Sequence, residues 1–243
     1  MPSWHDIAVK KLQEHSVLNG LDISAIRRLP GIERVFRSNA DIVKQGDQPD
    51  TAVVVVRGMV ARYHTLNSGR RQYLSLHIVG DMPDAQMLFL AVMDHTVCAV
   101  DEATVALVPH TALRLLFKDR PAAAFAVWRE TLIDAAIFRQ AITNNGARPL
   151  QTRLAHFLCE QYYRAHAIGL VQENSCSLPL TQTQIGETIG ASLPSVSRAL
   201  QQLRKTRAAD LRDGRLIVRD WYRLVQLGDF NPDYLHLRQD IKL

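Results

Sequence analysis

A short apolar-periodic segment near the C-terminus carries a row of polar and basic side chains. The row consists of Pro194, Arg198, Gln201 and Lys205, spaced i, i+4, i+7 and i+11, with Ser197 at its edge. At 3.6 residues per turn these side chains share one face of a helix. Arginine can bind a guanine edge through two hydrogen bonds, serine can donate or accept, and lysine can contact phosphate. The face therefore suits the major groove of a DNA duplex.

The residues around this row predict two helices joined by a tight turn. Thr181 and Gln184 form a capping-box pattern, which starts a first helix at Gln182. Gly190 ends that helix, since glycine tolerates the left-handed backbone of a tight turn. Ser192 is expected to cap the second helix. The apolar face of the second helix is predicted to consist of Val196, Ala199, Leu200 and Leu203.

A basic hairpin is predicted directly after the second helix. Asp213-Gly214 is a strong two-residue turn sequence between two short strands. Arg212, Arg215 and Arg219 would then lie beside the DNA backbone. Residues 193–223 hold eight basic and three acidic side chains, whereas the first 147 residues are almost neutral. Such a local basic patch is expected of a protein that binds phosphate backbones.

The first half of the chain has the pattern of an antiparallel β-structure. Gly46, Gly58, Gly69 and Gly80 recur at intervals of 11 or 12 residues, with β-branched or alternating runs between them. Strands are predicted over residues 51–56, 59–66, 72–79, 97–100 and 104–108. Short strands with turn residues at this spacing indicate a sandwich or roll.

From Pro121 the periodicity becomes helical, and one narrow apolar stripe emerges. The stripe, called the dimer stripe below, consists of Trp128, Leu132, Ala135, Phe138 and Ile142. A stripe this narrow is typical of a helix that packs against a second copy, although packing against the chain's own sheet would also explain it. Asn145-Gly146 is expected to end the helix, and the domain boundary is placed near residues 144–148.

Composition places the chain among ordinary globular proteins. Its 243 residues suggest two domains, and the longest strongly apolar run of the first half is too short to span a membrane. The N-terminal residues lack a secretory signal pattern, so a cytoplasmic location is expected. Cys98, Cys159 and Cys176 are too few and scattered for a disulfide framework or a cysteine-ligated metal site.

The segment LTQTQIGETIGASLPSVSRAL resembles the helix-turn-helix of the Crp/Fnr family of bacterial transcription regulators without a gap. WRETLIDAAIFRQ also resembles the dimerisation helix of several members. The resemblance implies an α+β fold with an N-terminal antiparallel β-roll (a double-stranded, jelly-roll-like β-helix), a long dimerisation helix and a C-terminal winged helix-turn-helix. The corresponding domains are residues 1–120, 121–146 and 147–243.

The resemblance also implies partners and a DNA-binding surface. A homodimer would read two half-sites of a near-palindrome about one helical turn apart, and an activator would also contact RNA polymerase. Arg198 and Ser197 would face base edges, whereas Pro194 replaces the family's acidic base-reading residue. The expected DNA-contacting residues are Thr181, Ser192, Pro194, Ser195, Ser197, Arg198, Gln201, Lys205 and Arg215.

The sensor half departs from the members that bind cyclic AMP. Those members carry a Gly-Glu pair and an Arg-Ser or Arg-Thr pair, at positions that correspond here to Asp84-Ala85 and His95-Thr96. Histidine, with an ordinary pKa near 6.5, replaces the permanent cation that would neutralise the cyclic phosphate. Cyclic AMP is therefore disfavoured. The candidate ligand pocket consists of Asp81, Asp84, His95 and Thr96.

Other cofactors and functions are disfavoured as well. No cysteine precedes Cys98, which argues against the family's N-terminal iron–sulfur cluster. Haem would need His64, His77 or His95 as a ligand, and histidines in sheets are more often held by hydrogen bonds. Cys176 is expected to be inert, with a redox role as the alternative. No metal site or catalytic residue is predicted. A cupin-type metal enzyme and a regulatory subunit that acts on a protein partner remain the alternative functions.

Overall fold

The computed structural model describes residues 2–238 of the chain. The chain separates into two compact units, and the division falls between Asp134 and Ala135. This division lies about ten residues before the segment 144–148, where the sequence places the boundary.

The first unit begins with two short helices that are capped by side chains. α1 (Trp4–Gln13) starts at Ser3, whose hydroxyl accepts the Asp6 N–H at 3.2 Å. α2 (Gly20–Ile26) starts at Asn19, which forms a reciprocal capping box with Asp22. Each cap satisfies backbone donors that have no partner inside the helix.

The strands of this unit form two antiparallel sheets. They are β1 (Ile32–Phe36), β2 (Asp41–Val43), β3 (Thr51–Arg57), β4 (Val60–Thr65), β5 (Arg71–His77), β6 (Thr96–Ala99) and β7 (Ala103–Pro109). One sheet has the order β1-β7-β3 and the other β2-β6-β4-β5. A 3₁₀ turn (Ala85–Leu88) lies between β5 and β6. The predicted strands are thus present, within two residues at each end.

Side chains of β3 contribute to two hydrophobic clusters. Val53 and Val55 pack with the core that β4, β6 and β7 share, whereas Ala52 and Val54 face the cluster that includes α1 and residues 123–127. Because successive side chains of a strand point to opposite faces, a strand buried on both sides needs a continuous apolar run. The run TAVVVV supplies it.

α3 (His110–Asp119) and α4 (Pro121–Ala147) follow the roll. α4 ends at Ala147, one residue beyond the Asn145-Gly146 pair that the sequence predicts as its end. Two amide contacts within the second unit hold that end: Asn144 Nδ2 donates to the Arg153 carbonyl at 3.1 Å and Asn145 Nδ2 to the Thr188 carbonyl at 3.3 Å.

The second unit contains further helices and a small sheet. Its helices are α5 (Leu150–Ala167), α6 (Gln182–Ile189), α7 (Leu193–Lys205) and α8 (Trp221–Gly228), followed by a 3₁₀ turn (Pro232–Leu235). Its strands are β8 (Ser175–Ser177), β9 (Ala209–Arg212) and β10 (Arg215–Val218), in the order β8-β10-β9. The predicted fold class, a β-roll, a long helix and a C-terminal helix-turn-helix with a hairpin, is confirmed.

The turn between β3 and β4 gives a test of the roll. Gly58 has φ +79°, and a Cβ there would lie 2.5 Å from the Glu102 carbonyl oxygen. Gly69 has a similar φ of +77° with nothing within 4 Å. We expect Gly69→Ala to lower the free energy of unfolding by about 1 kcal/mol, the cost of the left-handed backbone alone. Gly58→Ala should cost about 3 kcal/mol, because the opposing backbone must also move.

Urea denaturation of the two variants beside the unmodified protein measures both costs. Equal losses for the two substitutions would contradict the claim that the Glu102 carbonyl closes off the turn at Gly58.

Candidate nucleic-acid interface

α6 begins as the sequence predicts. The Thr181 hydroxyl accepts the Gln184 N–H at 3.2 Å, and Gln184 Oε1 accepts the Thr181 N–H at 2.8 Å. This reciprocal pair is a capping box. Ile185 and Ile189 are buried, so α6 has a fixed start and a fixed inner face.

The turn from α6 to α7 depends on two glycines. Gly190 has the predicted left-handed conformation, with φ +67°. Gly186 is needed for a different reason: a Cβ there would lie 2.4 Å from the Ala191 carbonyl oxygen. The Ala191 N–H donates to the Gly186 carbonyl at 2.9 Å, which closes the turn over α6. Sequence reasoning gave a conformational role only to Gly190, and it noted Gly186 only as part of the family resemblance.

Ser192 departs from its predicted role. It occupies the N-cap position of α7 in an extended conformation, but its side chain makes no capping hydrogen bond. Its Oγ instead lies 2.9 Å from the Ser195 Oγ. Ser192 therefore occupies the predicted N-cap position, but the prediction that its hydroxyl caps the helix is wrong. The hydroxyl pairs instead with another hydroxyl near the protein surface.

α7 separates its side chains into two faces. Val196, Ala199 and Leu203 are buried, and Leu200 is partly buried at the edge of that inner face. The outer face, named here for its residues Pro194, Ser197, Arg198, Gln201 and Lys205, is exposed except at the half-buried Ser197. Arg198 Nη2 lies 3.4 Å from Ser195 Oγ, so two of the expected DNA-contacting side chains adjoin. The DNA contacts themselves stay a prediction.

Arg153 on α5 supports the turn, and sequence reasoning missed it. Its Nη1 donates to the Ile189 carbonyl at 2.8 Å, and its Nη2 donates to the Arg148 carbonyl at 3.2 Å. The carbonyls at a helix C-terminus lack intrahelical donors, and a guanidinium is well suited to bind them. No local pattern reveals this contact, because 36 residues separate its partners.

The hairpin has the predicted turn. Asp213 and Gly214 both have positive φ, 50° and 69°, as a two-residue hairpin turn requires. Arg212, Arg215 and Arg219 are exposed. Arg215 Nε donates to Ser175 Oγ of β8 at 3.1 Å, which orients its side chain along the sheet.

The four residues of the candidate ligand pocket mostly bind protein groups. Asp81 Oδ2 accepts the Ile78 N–H at 2.9 Å, and Thr96 Oγ1 accepts the Gln45 N–H at 3.1 Å. His95 Nδ1 lies 2.6 Å from the exposed Asp94 carboxylate, and burial lowers the pKa of His95. Their role in ligand binding stays a prediction.

Asp84 is completely buried, and its environment is unusual. Its Oδ1 accepts the Val53 N–H at 2.8 Å, while burial raises the pKa of its carboxyl to about 7. The positive charge of Arg62 on β4 opposes this rise by favouring the charged form of Asp84, and it also lowers the pKa of His95.

Arg62 is a buried cation that sequence reasoning missed. Its Nε donates to the Pro83 carbonyl at 2.6 Å, and its Nη1 forms an ion pair with Asp134 of α4. Only 4% of Arg62 is exposed. β4 thus contributes a buried cation that acts on Asp84 and His95, whereas the resemblance points to the position of His95 itself.

Three of the five residues of the dimer stripe are exposed, whereas Ala135 and Phe138 are half-buried. Trp128 is 51% exposed, Leu132 52% and Ile142 74%. Ala123, Ala126 and Val127 supply the helix face that packs into the roll. Packing against the chain's own sheet therefore does not explain the stripe, and three large apolar side chains remain open to solvent.

The cysteines are buried thiols. Burial raises the pKa of Cys98 and of Cys176 to about 11, and it raises the pKa of Cys159 as well. A reactive cysteine needs an accessible thiolate. The environment of Cys176 therefore favours the inert thiol over a redox role.

Histidines and carboxylates are dispersed. Within residues 2–238 no group of three or more His, Cys, Asp or Glu side chains is arranged to hold a metal ion. His64 bonds to the Asp94 carbonyl and His77 to Ser75 Oγ, both at 2.8 Å. In the same part of the chain, no helix has the length and apolar character that crossing a membrane requires.

Comparisons with known proteins match both units. Residues 152–227 match the Crp-like helix-turn-helix domain, and residues 33–120 match the cyclic nucleotide-binding domain. The nitrogen fixation regulation protein FixK of Rhizobium meliloti is 26% identical over 77% of this chain and 82% of its own length. The transcriptional activator protein FnrL of Cereibacter sphaeroides is 25% identical, over 82% of each chain.

Two solved structures share the fold of this chain over about four fifths of its length. FixK2 from Bradyrhizobium japonicum superposes with a TM-score of 0.74 at 25% identity, covering 82% of this chain and 98% of its own. CLP from Xanthomonas campestris, a c-di-GMP-responsive global regulator, shares the fold with a TM-score of 0.64 at 14% identity, covering 82% and 99%.

Because Asp84 is buried, the free energy of unfolding is expected to depend on pH. Its carboxyl has an ordinary pKa of 3.8 and a pKa of about 7 in the folded protein. Between these values the folded state binds more protons than the unfolded state, so the contribution of this group to stability falls as the pH rises from about 4 to about 7. Asparagine keeps an acceptor for the Val53 N–H and has no charge to bury. We expect Asp84→Asn to raise the free energy of unfolding above pH 7 by roughly a few kcal/mol.

Urea denaturation at a series of pH values measures this difference, with the exposed Asp119→Asn as the matched control. A variant that gains nothing at pH 8 relative to pH 4 would show that Asp84 is ionised in the folded protein at low cost.

Proposed function

Because the chain belongs to the Crp/Fnr family of transcription regulators, we propose that two copies bind a near-palindromic DNA operator through the outer faces of their α7 helices. The protein is a DNA-binding transcription regulator and not an enzyme. The cupin-type enzyme and the partner-binding subunit are not supported. The observation that carries the proposal is the sorting of α7, which buries its apolar side chains and exposes its polar and basic ones.

Each residue of the surface has a chemical role in the proposal. Arg198 reads a guanine edge through two N–H groups, and Ser197 contacts a neighbouring base. The hydroxyls of Thr181, Ser192 and Ser195 donate hydrogen bonds to phosphate oxygens of the DNA backbone. Gln201, Lys205 and Arg215 add amide and cationic contacts along the groove and the backbone. Pro194 can make only apolar contact, such as with a thymine methyl group, so the half-site should differ from those read through an acidic residue.

The second copy is proposed to pack against the dimer stripe. Exposure of the apolar side chains of Trp128, Leu132 and Ile142 to water costs free energy. Burial of these side chains against the same stripe of a partner removes that cost. An isologous interface of this kind relates the two α7 helices by a two-fold axis. The operator should then have two inverted half-sites about one helical turn apart.

The division of labour in the proposal follows the chain. Residues 1–120 act as a sensor domain, 121–146 as the dimerisation helix and 147–243 as the DNA-binding domain. The sensor is proposed not to use cyclic AMP, because Asp84 places an acid in the roll and the buried cation Arg62 is already paired with Asp134. If the protein activates transcription, RNA polymerase is a further partner.

Selection of bound sites from a random duplex pool tests the proposal directly. The expected result is a set of inverted repeats with one spacing. Recovery of unrelated sequences, or of single unpaired half-sites, would contradict the dimeric reading of an operator.

Arg198 should discriminate between sequences. We expect Arg198→Ala to weaken binding to the selected operator by about 1 to 3 kcal/mol while changing binding to a scrambled duplex little. Lys205→Ala is the matched control, since a phosphate contact should weaken both duplexes alike. Fluorescence anisotropy titrations at one fixed salt concentration compare them. Equal losses on both duplexes for Arg198→Ala would remove it from base reading.

The dimer stripe should decide the oligomeric state. Leu132→Glu and Ile142→Glu would each bury a carboxylate in an apolar interface twice, once per copy, so we expect both variants to be monomers. Sedimentation velocity measures this, with Ala122→Glu, an exposed position of α4 off the stripe, as the control that remains a dimer. Dimers that persist in both stripe variants would place the interface elsewhere.

A further inference from the structure

Asp210 of β9 holds two arginines from different elements. Its Oδ1 accepts Nε of Arg204 at 2.8 Å, and its Oδ2 accepts Nε of Arg212 at 2.6 Å. The Asp210 side chain is 3% exposed, whereas those of Arg204 and Arg212 are 48% and 55% exposed. One buried acid therefore orients two half-exposed cations.

The backbone explains why the three side chains meet. Asp210 and Arg212 are two residues apart on one strand, so they share a face of β9. Arg204 is in the last turn of α7, where the helix dipole favours a cation. The site lies where the second helix of the helix-turn-helix passes into the hairpin.

Other ion pairs of this unit are arranged differently. In the Arg148–Asp229 pair the arginine is 15% exposed and the carboxylate 78%, so the cation is the buried partner. In the Arg164–Glu160 pair both side chains are nearly buried, at 10% and 12%. A pair that only joins two elements does not need its cations at the surface. The Asp210 site combines a buried acid with exposed bases and has a net positive charge.

Both arginines bind Asp210 through Nε. Since both side chains are about half exposed, the remaining N–H groups of each guanidinium can donate paired hydrogen bonds to the oxygens of a phosphate. The carboxylate also reduces the repulsion between the two guanidinium groups and limits their rotamers before DNA arrives, which lowers the entropy cost of binding.

We propose that Arg204 and Arg212, aligned by Asp210, form a clamp for one phosphate of the DNA backbone beside each half-site. The clamp rests on the proposed DNA-binding function and extends it to residues outside the outer face of α7. Arg204 and Arg212 bind the phosphate, and Asp210 is a positioning residue. Because a phosphate carries no sequence information, the clamp contributes affinity and register but no base specificity.

The test uses the full-length protein and two probes, an operator selected from the random pool by the unmodified protein and a scrambled duplex of the same composition. Arg204→Gln, Arg212→Gln and Asp210→Asn are compared with Arg114→Gln, which removes an exposed charge from α3 of the first unit. Binding constants are measured over a series of salt concentrations, and circular dichroism checks that each variant is folded.

Each arginine variant should weaken binding to both probes alike. It should also reduce the slope of log K against log salt by about 0.9 for every phosphate that is no longer neutralised, or about 2 for a dimer. Arg114→Gln should leave the slope unchanged. An unchanged slope in both arginine variants overturns the clamp.

Asp210→Asn distinguishes positioning from simple charge. Removal of a negative charge near DNA strengthens binding if the carboxylate only opposes the phosphates, whereas loss of alignment weakens binding several-fold on both probes. Stronger binding overturns the positioning role. If this variant does not fold, the two arginine variants decide. If the unmodified protein selects no duplex at all, the proposed function fails. If it selects an operator and the salt slopes of the arginine variants do not change, only the clamp fails.

Discussion

The direction of α7 depends on a turn that needs glycine at two positions, for two different reasons. Gly190 has a left-handed backbone, and Gly186 lies so close to the Ala191 carbonyl that a Cβ would be 2.4 Å from its oxygen. Arg153 binds the Ile189 carbonyl from α5 and closes the same turn. With the angle between α6 and α7 fixed in this way, burial of Val196, Ala199 and Leu203 determines which residues of α7 face outward.

Arginines do different work in the two units because their burial differs. Arg62 is buried in the roll and donates to Pro83 and Asp134, so its charge is used inside the protein. Arg204 and Arg212 are half-exposed over a buried acid, so their charge is directed outward. The net charge of +5 for the whole chain does not show which arginines are buried and which are exposed. The position of the partner carboxylate, and not the number of basic residues, decides where phosphate can bind.

Features that depend on neighbouring residues could be predicted from the sequence. The Thr181–Gln184 capping box, the left-handed Gly190 and the Asp213-Gly214 turn involve residues at most three positions apart. Contacts between residues far apart in the chain could not be predicted in this way. The Asn145 amide donates to the Thr188 carbonyl, 43 residues away. Arg62 and Arg153 find partners 72 and 36 residues away, and no local pattern records such pairs.

The roll interior shows how such a pair constrains any effector. Arg62 of β4 is bound by Asp134 of α4, and Asp84 nearby is buried with a pKa raised to about 7. An anion that entered to bind Arg62 would compete with a carboxylate already in place and would have to offset the loss of that pair in a buried setting. Displacement would also release Asp134 from the roll. The Arg62–Asp134 pair thus joins β4 to the helix that carries the dimer stripe.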